Sequence, residues 1–183
     1  SKWTEESLVS RFGEGTGGFL WRVSQGLGSE KFHEESKTRG MSRETTFSED
    51  IRDFVSLKKV LWELVSEVGE ELRSEEDPKI RYAHSVKLKL RYPDFTTLSR
   101  SRVLGRPTRV DSEIFEALVP LVRDAWDGKT GVRLIGAGVE LGDGRHQMDL
   151  FRPVDPRAEV LDEIRDEIRS RFGKKAMKTG RDF

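Results

Sequence analysis

The sequence predicts an α+β fold, a four-stranded β-α-β-β-α-β sheet with two helices on one face. A short helix-hairpin-helix segment precedes this body, and a linker and a C-terminal helix follow it. Two amphipathic helical stretches, one strictly alternating stretch and the turn residues between them lead to this prediction. Because both crossovers of this split pattern are helical, both helices should cover one sheet face and leave the other open.

The N-terminal part, residues 1–36, is predicted to form two short helices around a glycine-rich hairpin. Glycines recur from Gly13 to Gly18, and glycine is the residue that adopts positive φ at little cost. Such a hairpin can offer backbone N–H groups to a phosphate. A plain turn between two helices explains the same residues, and this segment by itself favours the plain turn.

The body, residues 37–142, begins with an extended stretch over 38–47 and an amphipathic helix over 53–73. Residues 80–91 then alternate, with Val86 and Leu88 on one face and Lys87 on the other, as in a half-buried strand with a basic outer face.

A turn at residues 92–94 leads to a second strand over 95–104. Asp111 is predicted to be the N-cap of the second helix, whose apolar stripe ends at Trp126. Residues 132–141 form the last predicted strand.

A linker, residues 143–155, connects the body to a C-terminal helix and tail, residues 156–183. Pro156 occupies the favoured first helical position, and Gly173 ends the helix. The apolar stripe of this helix consists of Leu161, Ile164, Ile168 and Phe172.

Composition restricts the classes of function. Hydrophobic residues make up 34% and charged residues 36% of the 183 residues, cysteine is absent, and no apolar run approaches the roughly 20 residues of a membrane span. Disulfides and thiolate metal sites are therefore excluded, and the three histidines have no ligand spacing. These features predict a cytoplasmic protein.

The formal net charge of zero conceals two blocks of opposite sign. Nine basic residues and one acidic residue lie between Lys79 and Arg109, whereas seven acidic residues and one basic residue lie between Glu63 and Asp77. A basic stripe on one face is what phosphate binding requires, so the open sheet face is expected to be a basic platform for an anionic partner. A merely solvated surface is the alternative.

Several segments, in order along nearly the whole chain, resemble the C-terminal part of Y-family, DNA polymerase IV-like translesion polymerases. Residues 38–47 (TRGMSRETTF) resemble the opening of the little finger domain of that family, with Arg39 near the position of its lysine. Residues 86–101 resemble its central hairpin and residues 131–136 its last strand. Residues 11–26 resemble the end of its thumb domain.

The resemblance implies that the body lies along primer-template duplex DNA and grips its backbone without reading sequence. Lysine and arginine neutralise phosphates, and serine, threonine and glycine let backbone N–H groups approach phosphate oxygens. The residues expected to contact DNA are Arg39, Ser42, Arg43, Ser85, Lys87, Lys89, Thr97, Ser99, Arg100, Ser101 and Arg133.

The pentapeptide Gln147-Met148-Asp149-Leu150-Phe151 resembles the motif with which such polymerases bind the bacterial sliding clamp. Leu150 and Phe151 would fill an apolar pocket, and Gln147 would supply a directional hydrogen bond. Met148 stands where leucine is usual, which its similar volume and flexibility permit. A turn packed on the domain is the alternative.

The resemblance also implies that the catalytic carboxylates and their magnesium ions belong to a palm domain outside this chain. We therefore expect no catalysis and no cofactor in this chain, and we expect the rest of the polymerase to be its partner. Two other classes stay open: a free-standing ferredoxin-like module for RNA binding or protein interaction, and a small enzyme. An RNA-binding sheet should present aromatic side chains for base stacking.

Overall fold

The computed structural model describes residues 3–27, 40–77, 80–142, 156–173, 176–177 and 180. In these residues it has four helices and four strands, in the order α1 (Glu5–Ser24), β1 (Gly40–Ile51), α2 (Phe54–Ser74), β2 (Tyr82–Arg91), β3 (Thr97–Thr108), α3 (Asp111–Ala125), β4 (Val132–Gly142) and α4 (Pro156–Phe172). The predicted α+β fold is confirmed. The chain divides into two compact units, residues 1–37 and 38–183.

The first unit contains α1, which consists of two helical segments that meet at Gly13. Gly13 has φ 80° and ψ 162°, a conformation that interrupts the helix. The break occupies this one residue, because the glycines that follow are helical. Gly17 lies against the backbone of Val9, where a Cβ atom would meet the Val9 nitrogen at 2.5 Å. The missing side chain thus lets the second segment pack closely on the first.

In the second unit the four strands form an antiparallel sheet in the order β1-β4-β2-β3. Since β1 and β2 are both antiparallel to β4, they run parallel to each other, and the crossover through α2 skips one strand. The crossover through α3 skips β2 in the same way. This interleaving is the predicted split pattern.

Helices α2 and α3 cover one face of this sheet. The buried side chains of α2 include Leu57, Leu61 and Val65, and those of α3 include Leu118. They pack on the alternating apolar positions of β2 and β4, which are Val86, Leu88, Leu90, Ile135, Ala137 and Val139. Trp62 and Phe115 join the two helices through an edge-to-face contact with ring centroids 5.3 Å apart.

The start of α3 differs from the prediction. Val110, not Asp111, is the N-cap residue, and its own side chain makes no capping hydrogen bond. Asp111 is the first helical residue and is completely buried. Its carboxylate binds the guanidinium groups of Arg73 and Arg165 instead of the helix N-terminus.

The same ion pairs attach α4 to the body of the domain. Arg73 of α2 lies 2.7 Å from Asp111 and 2.5 Å from Asp166, and Arg165 of α4 contacts Asp111 and Asp162. The backbone N–H of Asp111 donates to Asp162 at 2.9 Å. We call Arg73, Asp111, Asp162, Arg165 and Asp166 the ionic cluster; the side chains of both arginines are at most 4% exposed.

The apolar stripe of α4 lies on its solvent side. Leu161 is 61% exposed and Phe172 is 74% exposed, whereas Asp162 and Arg165 are buried. The helix thus docks through charged residues.

None of the helices in the described part of the chain is long and apolar enough to cross a membrane.

Candidate nucleic-acid interface

The sheet face opposite α2 and α3, here called the outer face, carries a groove of about 810 Å³ that crosses all four strands. Strand register defines its two central rows. Ser42, Gly138, Lys87 and Ser101 are neighbours across the sheet in one row, and Glu44, Gly136, Lys89 and Ser99 are neighbours in the next.

The floor of the groove consists of two glycines of β4. A Cβ atom at Gly136 would lie 3.1 Å from the Cβ of Glu44, and one at Gly138 would lie 2.9 Å from the Cβ of Ser42. The two glycines add no side chain of their own above β4, so only side chains of the neighbouring strands occupy that space.

Both lysines of the outer face are paired with carboxylates. Lys89 Nζ lies 2.6 Å from Glu44 Oε2, and Lys87 Nζ lies 2.6 Å from Glu140 Oε1. The Ser85 hydroxyl, which is buried, donates to the other oxygen of Glu140 at 2.7 Å. Hydrogen bonds from Lys87 and Ser85 hold the pKa of Glu140 below its ordinary value, so this carboxylate stays ionised at neutral pH.

Of the residues predicted to contact DNA, seven lie at register positions of the outer face. Lys87, Ser99 and Ser101 are exposed, Lys89 is half-buried and Ser85 is engaged with Glu140. Ser42 and Thr97 are also exposed, and the Thr97 hydroxyl accepts from Arg91 at 3.0 Å. The result is a surface of ammonium, hydroxyl and carboxylate groups around a glycine floor.

Among the other predicted residues, Arg43 and Arg100 line the groove but belong to neither of its two central rows. Arg43 binds Glu71 of α2 at 2.9 Å, on the side of the helices. Arg100 is the register partner of the core residue Leu88, so alternation places it on the opposite sheet face. Arg133 is 3.6 Å from Asp50 of β1. Arg39 and the pentapeptide 147–151 lie outside the described residues.

The basic block therefore does not form one basic face, contrary to the prediction. Arg106 pairs with Glu113, and Arg109 pairs with Glu159 and Glu163 of α4. Lys87, Lys89 and Arg91 remain on the outer face, where the two lysines have carboxylate partners. Arg106 and Glu113 are seven residues apart but belong to different elements, whereas Arg109 and Glu159 are 50 residues apart and Lys89 and Glu44 are 45 apart. Each pairing depends on how these elements pack.

The residues that sequence reasoning missed are Glu44, Glu140, Gly136 and Gly138. A signal was present in β4, where residues 136–140 (GAGVE) alternate small or charged residues with apolar ones. That pattern places both glycines and Glu140 on the face opposite the core. The partners of Glu140 and Glu44 required the strand register.

The aromatic residues beside the central hairpin do not form a stacking platform. Tyr92 packs on the core, and its hydroxyl donates to the Ala125 carbonyl at 3.1 Å. Phe95 is 72% exposed at the hairpin tip, with a positive φ of 66°. Among the residues that line the groove in the described structure, none is aromatic.

In the described part of the chain, no group of three or more histidine or acidic side chains is placed to hold a metal ion.

Comparison with known proteins is consistent with the open α+β domain described above. Residues 38–150 match the family described as the impB/mucB/samB family C-terminal domain. This match covers more than half of the chain, and the chain belongs to that family. The resemblance to Y-family polymerases that the sequence indicated is confirmed.

Curated relatives include DNA polymerase IV of Dehalococcoides mccartyi strain CBDB1, which is 32% identical over 166 residues, covering 90% of this chain and 42% of the relative. DNA polymerase IV 1 of Mesorhizobium japonicum is 34% identical over 179 residues, covering 96% of this chain and 40% of the relative. The chain thus spans about two fifths of the length of these relatives.

A solved structure described as a complex of the beta-clamp processivity factor and the little finger domain of PolIV matches with a TM-score of 0.47 and 22% identity, over 63% of this chain and 99% of the matched chain.

Proposed function

We propose that this chain is the DNA-gripping C-terminal region of a translesion DNA polymerase and that its outer face lies along the backbone of primer-template duplex DNA. The observation that carries the proposal is the open groove, with a glycine floor and walls of lysine, serine and glutamate side chains. Family membership supports it, since the relatives named above are DNA polymerases IV.

The composition of the groove suits a phosphate backbone better than base edges. Lysine neutralises a phosphate as a mobile point charge, and serine hydroxyls donate without a demand for a particular base. The glycine floor adds no side chain of its own, so an approaching strand of DNA would meet only the side chains of the neighbouring strands. These groups position a duplex and carry no direct sequence readout, as a polymerase that must pass any template requires.

The test is fluorescence anisotropy with a labelled primer-template duplex over roughly 50–200 mM salt. Changing Lys87→Ala with Lys89→Ala should weaken binding and make the slope of log K against log salt shallower by about 2, because two phosphate contacts are lost.

The matched control is Lys59→Ala with Lys129→Ala, which removes the same charge from exposed positions on α2 and in the α3–β4 turn. An equal loss in both variants would contradict the assignment to the outer face. A preference of the unchanged protein for single-stranded RNA over duplex DNA would favour the RNA-binding alternative.

We also propose that residues 147–151 tether the chain to a bacterial sliding clamp. The support is the sequence of the pentapeptide and its position after β4 in a member of this family. Leu150 and Phe151 are the expected apolar anchors, because buried aromatic and aliphatic side chains dominate such small interfaces.

Changing Leu150→Ala with Phe151→Ala should abolish binding to an immobilised sliding clamp, measured by surface plasmon resonance. Leu161→Ala with Phe172→Ala is the matched control, since it removes the same two residue types from exposed positions on α4. Clamp affinity that survives the first pair of changes would refute the tether.

Template-directed nucleotide transfer past damaged bases, with magnesium held by palm carboxylates, is in this proposal the work of the rest of the polymerase. The contribution of this chain is to bind DNA and clamp and thereby to raise the local concentration of template at the active site.

A further inference from the structure

The two lysines of the groove are each held by a carboxylate on the same face. Surface ion pairs are common, but the pair of Glu44 and Lys89 depends on the glycine that lies between them in the sheet. Glu44, Gly136 and Lys89 are consecutive neighbours across β1, β4 and β2. The backbones of Glu44 and Lys89 are therefore two strand spacings, or about 10 Å, apart. Their side chains meet at 2.6 Å across the glycine between them.

A side chain at position 136 would obstruct this pair. Its Cβ would lie 3.1 Å from the Cβ of Glu44 and 3.5 Å from the Cβ of Lys89. The glycine floor therefore serves the ion pair as well as the openness of the groove.

The second pair has additional support. Glu140 accepts from Lys87 with one oxygen and from the buried Ser85 hydroxyl with the other. The serine fixes the carboxylate so that Lys87 Nζ has a defined partner in the absence of DNA. Each lysine must exchange a carboxylate for a phosphate when a duplex is bound.

We infer that Glu44 and Glu140 set the strength of DNA binding by competing with phosphates for Lys89 and Lys87. This inference rests on the proposed function and adds a regulatory element to the same site. Anionic side chains beside the groove also repel phosphates directly, but the competition predicts more: the effect of the glutamates should depend on the lysines. Weak, readily released contact with the backbone is the functional consequence.

The experiment is a double-mutant cycle in the duplex-binding assay. Changing Glu44→Gln with Glu140→Gln should raise DNA affinity roughly two- to thirtyfold, the range expected when two exposed ion pairs no longer compete. In a protein that also carries Lys87→Ala and Lys89→Ala, the same glutamate changes should have a much smaller effect.

A control variant with Glu63→Gln and Glu167→Gln changes the net charge equally at exposed positions of α2 and α4. An equal gain in the control, or an equal gain with and without the lysines, would overturn the inference, because general or direct repulsion would then account for the effect. An unchanged affinity in the Glu44→Gln, Glu140→Gln protein would overturn it as well. If the unchanged protein does not bind duplex DNA, the proposed function itself fails.

Discussion

Changing Asp111→Asn is expected to lower the free energy of unfolding by about 3–5 kcal/mol, the cost of removing one partner from a buried ion pair. The Asp111 side chain is fully buried and binds Arg73 and Arg165, whose side chains are also almost completely buried. An asparagine amide would direct N–H donors at one of two guanidinium groups that have only donors to offer. Urea unfolding followed by circular dichroism measures the change.

Asp162→Asn, in the same ionic cluster, is the matched comparison and should cost less than about 1 kcal/mol. Three carboxylates face two guanidinium groups, so one negative charge is in excess. Burial and the neighbouring Asp111 carboxylate raise the pKa of Asp162, which identifies it as the poorly stabilised charge. An asparagine carbonyl can still accept from the Asp111 N–H.

The stability of the Asp162→Asn variant relative to the unchanged protein depends on pH, and the direction follows from the raised pKa of Asp162. A carboxyl group with a raised pKa in the folded state contributes stability below its ordinary value of 3.8 and loses that contribution as pH rises through the folded pKa. The Asp162→Asn variant should therefore become more stable relative to the unchanged protein as pH rises from 3.8 through the raised pKa of Asp162. Equal losses for Asp111→Asn and Asp162→Asn at every pH would contradict this account of the cluster.

Changing Leu118→Ala should lower the free energy of unfolding by about 2–5 kcal/mol, because a buried leucine is lost and a cavity is left between α3 and the sheet. Leu118 has no exposed surface and belongs to the main core. Thermal and urea unfolding of the purified chain measure the change.

Leu161→Ala on α4 is the matched control for this substitution. Leu161 is 61% exposed, so its removal should change the free energy of unfolding by at most about 0.5 kcal/mol. A loss as large as that of Leu118→Ala would mean that α4 packs through its apolar stripe and would contradict the orientation described above.

Local pattern determined the secondary structure because each element carries its own periodicity. The helical recurrence from Phe54 to Leu72 and the alternation of Val86, Leu88 and Leu90 depend only on neighbours along the chain, and α2 and β2 lie within two residues of their predicted bounds. The split topology followed from the order of these elements.

Sequence patterns did not predict the contacts of residues that had two possible partners. Asp111 is of a residue type that is common at N-caps, and nothing nearby in sequence indicates that Arg73 and Arg165 bind it. The stripe of α4 has the spacing of an inward-facing helix surface, yet the ionic cluster fixes the opposite side of the helix to the body. Burial of a charge depends on where its counter-charge lies, and that is a tertiary property.

In the candidate interface, too, some features follow from the sequence alone and others only from the tertiary structure. The sequence by itself determined that β2 and β3 present lysine and hydroxyl side chains, since alternation assigns side chains to faces. Only the tertiary structure decided that Lys87 and Lys89 are held by Glu140 and Glu44, and that Arg106 and Arg109 are withdrawn into other ion pairs. The physical reason is that the sequence gives the sign of each charged side chain but not the groups that surround it in space. Strand register and helix packing decide which counter-charge lies beside it, and this sets the electrostatic free energy of the side chain.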